Sequence, residues 1–144
     1  MTIVIEIDGE PVAKGRGRIG RMPNGRPVMF TPVATRKNEN LIKMAAMAAM
    51  KGRNPILTAV CVKLAVYIGF NKSMSKKKLK DAEAGFLRPC SKPDLDNFLK
   101  SALDGINTIV IRDDSQVVGF EAFKMYRAKP GMRIEVTELD NDII

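Results

Sequence analysis

The chain has 144 residues, 45% of them hydrophobic and 28% charged, with 24 Lys/Arg against 16 Asp/Glu for a formal net charge of +8. That is the size of one domain with a real core and the composition of a soluble globular protein. Histidine is absent and the only cysteines are Cys61 and Cys90, which excludes Ser-His-Asp and Cys-His catalysis, a disulfide scaffold and a His/Cys zinc site.

No apolar run approaches the ~18 residues that cross a bilayer. The opening MTIVIEIDGE has no basic segment before its apolar residues, so neither a signal peptide nor a membrane partner is expected, and a reducing cytoplasm is the default compartment. TIVIEID (2–8) alternates Ile3, Ile5 and Ile7 with smaller or polar residues and predicts a short strand. Residues 9–31, rich in Gly, Arg and Pro, predict a long loop or loose hairpin. A helix is expected from Thr35 to Lys51, with Leu41, Met44, Ala45 and Ala48 on its apolar face and Gly52 ending it. Met44, Met47 and Met50 are expected to fill core. Val60, Val62, Leu64, Val66, Ile68 and Phe70 alternate cleanly, the strongest strand signal in the chain, and place Cys61 in an apolar strand as a core residue. KSMSKKKLKDAEAG (72–85) predicts a short, basic, exposed helix. QVVGFEAFKMY and MRIEVTEL predict two more strands, parted by a Lys129-Pro130-Gly131 turn. The expected fold is α+β: a single domain over 1–144, a mixed, mostly antiparallel sheet of about four strands, and helices on one face.

Charge is unevenly spread. Residues 1–92 carry 18 Lys/Arg against six Asp/Glu, a balance of +12, whereas residues 93–144 carry six against ten, a balance of −4. Taken singly, the basic runs AKGRGRIGRMPNGR (13–26) and KSMSKKKLK (72–80) read as solvated loops or faces. Two of one sign in so small a domain suit a polyanion, whose phosphates Lys and Arg neutralise. Neither run is a Walker loop, since no Gly-Lys-Ser/Thr follows.

The acids cluster instead. In SKPDLDNFLK (91–100), Pro93 precedes a helix for which Asp94 is a good N-cap, and Leu95, Phe98, Leu99, Ala102, Leu103 and Ile106 form its apolar stripe. Asp94 and Asp96 leave the first turn together, where the helix dipole favours their anionic state. A hard divalent cation wants such ionised oxygens on a fixed backbone, and Lys100 is one turn further in. TIVI (108–111), β-branched, is expected to run extended and deliver Asp113 and Asp114 in IRDDSQ to an element boundary. If the next strand packs beside the helix start, a third carboxylate meets Asp94 and Asp96. Acids around magnesium suffice for phosphodiester hydrolysis, with a lysine to take up developing negative charge. The bland alternative is a first-turn acid pair, a turn, and an Asp96–Lys100–Asp104 surface ladder worth only about 0.3–0.5 kcal/mol per pair. Two readings therefore stand side by side: a metal-dependent nuclease, and a noncatalytic basic DNA-binding domain with structural acids. A glycosyltransferase Asp-x-Asp motif is remoter, because the chain is short and no nucleotide-binding βαβ pattern precedes it.

KPDLDNFLKSALDGIN followed by DDSQVV resembles the RusA family of Holliday junction resolvases, often carried by phages and prophages, over roughly residues 90–140. The resemblance implies a small homodimer of mixed α/β fold that resolves four-way DNA junctions by paired symmetric nicks. It implies magnesium, with manganese as a substitute, and no small-molecule cofactor. It assigns Asp94, Asp96 and Asp114 as metal-binding catalytic carboxylates and Lys100 as the catalytic lysine. Asp113, also offered to the metal, and Asp104 match recurring acids of less defined role, and Asn97 supports the helix start. EPVAKGRGR (10–18) resembles a Pro-x-Ala-Lys-Gly-Arg stretch of one branch of the family and departs from the Pro-Pro-Ser-type opening of the best-known branch. Lys14, Arg16 and Arg18, backed by Lys76, Lys77 and Lys78, are the candidate DNA phosphate contacts.

Overall fold

Strands whose apolar residues alternate must bury one face, and four of them do so in one sheet. The structure is a computed structural model that describes residues 1–140 except Arg16 and Thr31, and Arg18 by its backbone. In chain order the elements are β1 (Thr2–Asp8), β2 (Arg18–Arg21), β3 (Pro27–Phe30), α1 (Val33–Met50), β4 (Val60–Ile68), α2 (Lys76–Glu83), α3 (Leu95–Ile106), a 3-10 turn (Asp114–Gln116), β5 (Val117–Tyr126) and β6 (Gly131–Glu138). The sheet order is β1-β6-β4-β5, with β6 antiparallel to both β1 and β4, and β5 parallel to β4. The strands β2 and β3 pair as a separate hairpin. The fold is thus the expected small α+β domain with a mixed sheet.

Ile3 and Ile5 of β1 register with Val136 and Ile134 of β6, which register in turn with Val62 and Leu64 of β4. All six are buried on one face of the sheet, and Ile42 and Ala46 of α1 and Phe98, Ala102 and Ile106 of α3 complete that core. Gly105 is where the two helices meet most closely: a Cβ there would overlap the Ile42 side chain. A parallel β4–β5 pair needs a crossover, and α3 supplies its return leg. It therefore runs antiparallel to both strands, starting at their C-terminal ends and finishing where β5 begins.

Three local expectations are corrected. The buried face of α1 is Thr35, Asn38, Ile42, Ala46 and Met50, while Leu41, Met44 and Met47 are 54%, 67% and 61% exposed. From Leu41 to Met50 this helix is apolar nearly all round, so its periodicity fits two faces, and packing against Gly105 and Ser101 selects one. TIVI does not run extended: Thr108 takes a left-handed φ of 67° and the chain turns, with Ile109 N and Val110 N both donating to Ile106 O. The turn tucks Val110 and Ile111 fully into the core. Cys61 is only half-buried, on the sheet face away from the helices.

Candidate active site

The N-terminus of α3 is fixed from below. Phe98 is fully buried, and Lys124 of β5 donates to Ser91 O (2.8 Å) and Pro93 O (3.0 Å). Asp94 is the N-cap residue with extended backbone (φ −68°, ψ 148°), yet its carboxylate makes no capping hydrogen bond. That bears on the bland reading, in which Asp94 is present to cap the helix. Asp96, in the first turn, faces Lys100 across 3.9 Å, and both side chains are well exposed. Asp94, Asp96, Asn97 and Lys100 line one solvent-open cavity of about 540 Å³ with Lys14, Gly15 and Gly17. The basic N-terminal strap is held there by Lys14 N donating to Asn97 O (3.1 Å). One acid pair, one lysine of the same helix and the backbone of the strap thus share a concave surface.

A second acidic group forms at the other end of α3. Asp104 accepts an ion-paired hydrogen bond from Lys14 Nζ at 2.5 Å. Asp113 caps the 3-10 turn by accepting from Ser115 N (3.0 Å), and hydrogen bonding from Ser115, its side chain first and then its backbone, holds the Asp113 carboxyl below the usual carboxylate range. Asp114 is pushed up, first by partial burial and then by repulsion from Asp104 and Asp113, with the Lys14 charge working against both. Gln116 secures this turn. Its Oε1 accepts from Arg112 N (2.8 Å) and Asp113 N (2.9 Å), and its Nε2 donates to Ile56 O (2.7 Å) and Thr58 O (2.9 Å).

The structure therefore pairs Asp94 with Asp96, and Asp114 with Asp104 and Asp113, rather than gathering Asp94, Asp96 and Asp114 at one point. Asp94 and Asp104 are ten residues apart on one helix, roughly 15 Å along its axis. Among the described residues no three His, Cys, Asp or Glu side chains form a group that could hold a metal ion. Magnesium makes a weaker demand: one or two carboxylates, several waters and substrate phosphate oxygens complete its shell. Asp94 and Asp96, hard donors not engaged in capping the helix and opening onto a solvent-filled cavity, fit that ion. Asp113 and Asp114 have the right donor chemistry but lie with the second group.

Of the candidate phosphate contacts, Lys76, Lys77 and Lys78 are exposed on the first turn of α2, which Ser75 caps by accepting from Lys78 N (3.3 Å). None of the three lines the cavity. Arg16 lies outside the described residues, and Arg18 contributes backbone to β2. Sequence reasoning missed Gln116 and Lys124. Gln116 lay inside the quoted DDSQVV, but nothing in a linear sequence shows that it reaches the segment before β4. Lys124 sits at an otherwise apolar strand position, its one visible signal.

Over residues 8–137 the chain matches the family model described as endodeoxyribonuclease RusA. The chain belongs to the RusA family. The matched span contains both acidic groups, the basic strap and α2. A Bacillus subtilis (strain 168) relative, described as uncharacterized protein YqaN, is 36% identical over 140 residues, covering 95% of this chain and 96% of its own length. RusA proteins are endodeoxyribonucleases, hydrolases of internal DNA phosphodiester bonds, and nucleases of this kind usually use a divalent metal. No helix among the described residues is long and apolar enough to cross a membrane.

Proposed function

We propose that this RusA-family protein is a magnesium-dependent, structure-selective endonuclease that resolves four-way DNA junctions by paired symmetric nicks. It acts in DNA recombination and repair as a homodimer in the cytoplasm, and manganese can replace magnesium. The observation that carries the reading is the cavity at the start of α3, lined by Asp94, whose carboxylate does not cap the helix, and by Asp96, which faces Lys100, beside a cationic strap.

Asp94 and Asp96 hold the metal, which when bound supplies an acidified water and screens the phosphate. Lys100, one turn behind Asp96, neutralises negative charge that develops on the phosphoryl oxygens. Asp114 and Asp113 lie with the second acidic group, and substituting them tests whether both groups act on one phosphate. Arg16 and Arg18 of the Gly-Arg run and Lys76, Lys77 and Lys78 on α2 contact phosphates. Recognition through phosphates and branch shape follows, because such contacts position DNA without reading bases. A homodimer supplies the two sites that paired nicks require.

The test is a labelled four-way junction, beside a linear duplex, incubated with the protein in magnesium or in EDTA. Paired nicks in the junction, dependent on magnesium and lost in Asp94→Asn and Asp96→Asn with binding retained, are the expected result. Nicking that survives both substitutions overturns the site. A second reading draws on the internal engagement of Asp104 and Asp113: a noncatalytic DNA-binding domain with structural acids. It predicts salt-sensitive junction binding with no magnesium-dependent nick.

A further inference from the structure

The strap that carries Lys14 is held more tightly than a solvent-facing DNA arm requires. Asn38 of α1, only 5% exposed, donates from Nδ2 to Val12 O (2.9 Å) and to the buried Ser101 Oγ (2.9 Å). Lys14 N is tied to Asn97 O, and Gly15 N donates to Thr35 Oγ1 (2.9 Å). A Cβ at Gly15 would lie 2.9 Å from that same hydroxyl and 3.1 Å from the Pro32 ring, so the residue after Lys14 must be small for the strap to lie this close to α1. The ammonium group so positioned closes on Asp104 at 2.5 Å, and the residue also borders the cavity of Asp94, Asp96 and Lys100. Lys14 thus pairs with the second acidic group and borders the cavity of the first.

We infer that Lys14 is the resident counter-ion of the second acidic group: in the metal-free protein it balances Asp104, sets its charge beside the cavity of Asp94 and Asp96 against an incoming divalent cation, and makes no phosphate contact in that state. Paired with Asp104 at hydrogen-bond distance, Lys14 has its charge already balanced by a carboxylate, which leaves little of it to neutralise a DNA phosphate. Its positive charge beside the cavity also opposes the arrival of a second cation. The inference rests on the metal reading of the site given above.

The test uses the full-length protein without DNA. Mn²⁺ binding, followed by the loss of free-ion electron paramagnetic resonance signal, is compared for wild type, Lys14→Met and Lys14→Arg. Lys14→Met is expected to lower the dissociation constant about fivefold or more, and Lys14→Arg to stay near wild type. Binding to an intact four-way junction in EDTA is then measured across salt. Lys14→Met is expected to leave the slope of log affinity against log salt unchanged. A manganese affinity that is unchanged or weaker in Lys14→Met, or a slope shallower by about one, overturns the inference. If Lys14→Met does not fold, Lys14→Gln, which keeps a polar donor without the charge, takes its place. If neither wild type nor variant binds Mn²⁺, the metal reading of the site falls and the salt slope alone decides the role of Lys14.

Discussion

The two ends of α3 carry the same chemical group in opposite circumstances. At the N-terminus, Asp94 and Asp96 stand on a helix start that does not use the Asp94 carboxylate as a cap, and Asp96 faces Lys100 across 3.9 Å. At the other end, Asp104 is paired to Lys14, Asp113 caps a turn, and Asp114 is crowded by both. The helix is the shared rail, and what surrounds each end differs: open cavity at one, hydrogen-bonded turn at the other. The contrast teaches that carboxylates close in sequence and identical in kind divide into a pair opening onto a cavity and a group in which Asp104 and Asp113 already have partners within the protein.

The largest way to break the contrast is to remove the rail. Phe98→Ala, at a fully buried position beneath the first pair, should cost about 3–5 kcal/mol and undo both ends together in a urea melt; a loss below ~1 kcal/mol would show that Phe98 does not anchor the helix. Gln116→Ala should act at one end only. It forfeits four hydrogen bonds, and with buried carbonyls left unpaired the cost should be about 1–3 kcal/mol. Amide exchange should quicken over residues 112–118 and stay unchanged over 94–100; equal acceleration at both segments would mean the ends are not independent. The smallest effect concerns Asp114. Because its folded-state affinity for a proton is raised, its contribution to stability is present below the unfolded carboxylate value of about 3.9 and is lost as pH rises through the folded value. Asp114→Asn should therefore remove a shallow fall in stability just above that pH, measured in EDTA as the difference between the two melting curves. A difference of the opposite slope would contradict the burial and repulsion assigned to it.

Much of the fold was legible because the strands carry period-two patterns that admit one buried face: the alternation from Val60 to Val66 and that of Ile3 and Ile5 each became core. The α1 face was not legible, since LIKMAAMAAM offers apolar residues in every direction and only the approach of Gly105 decides between them. For the candidate site, the Asp94–Asp96–Lys100 grouping could be read from spacing on a single helix. The position of Asp114 could not, because it depends on a left-handed Thr108 and on the direction in which α3 returns to β5. The role of Lys14 was hidden for a related reason: an exposed-looking lysine in a Gly-Arg run gives no sign of an aspartate 90 residues away.

The central proposal is that the N-terminal acid pair holds the metal that cuts, while Asp104 is engaged within the protein by Lys14. Single-turnover cleavage of a four-way junction in magnesium by Asp96→Asn and Asp104→Asn, each checked for junction binding, tests it most directly. Asp96→Asn should bind the junction and leave it uncut, whereas Asp104→Asn should bind it and still cut. Cleavage by Asp96→Asn, or equal loss in the two variants, would contradict it.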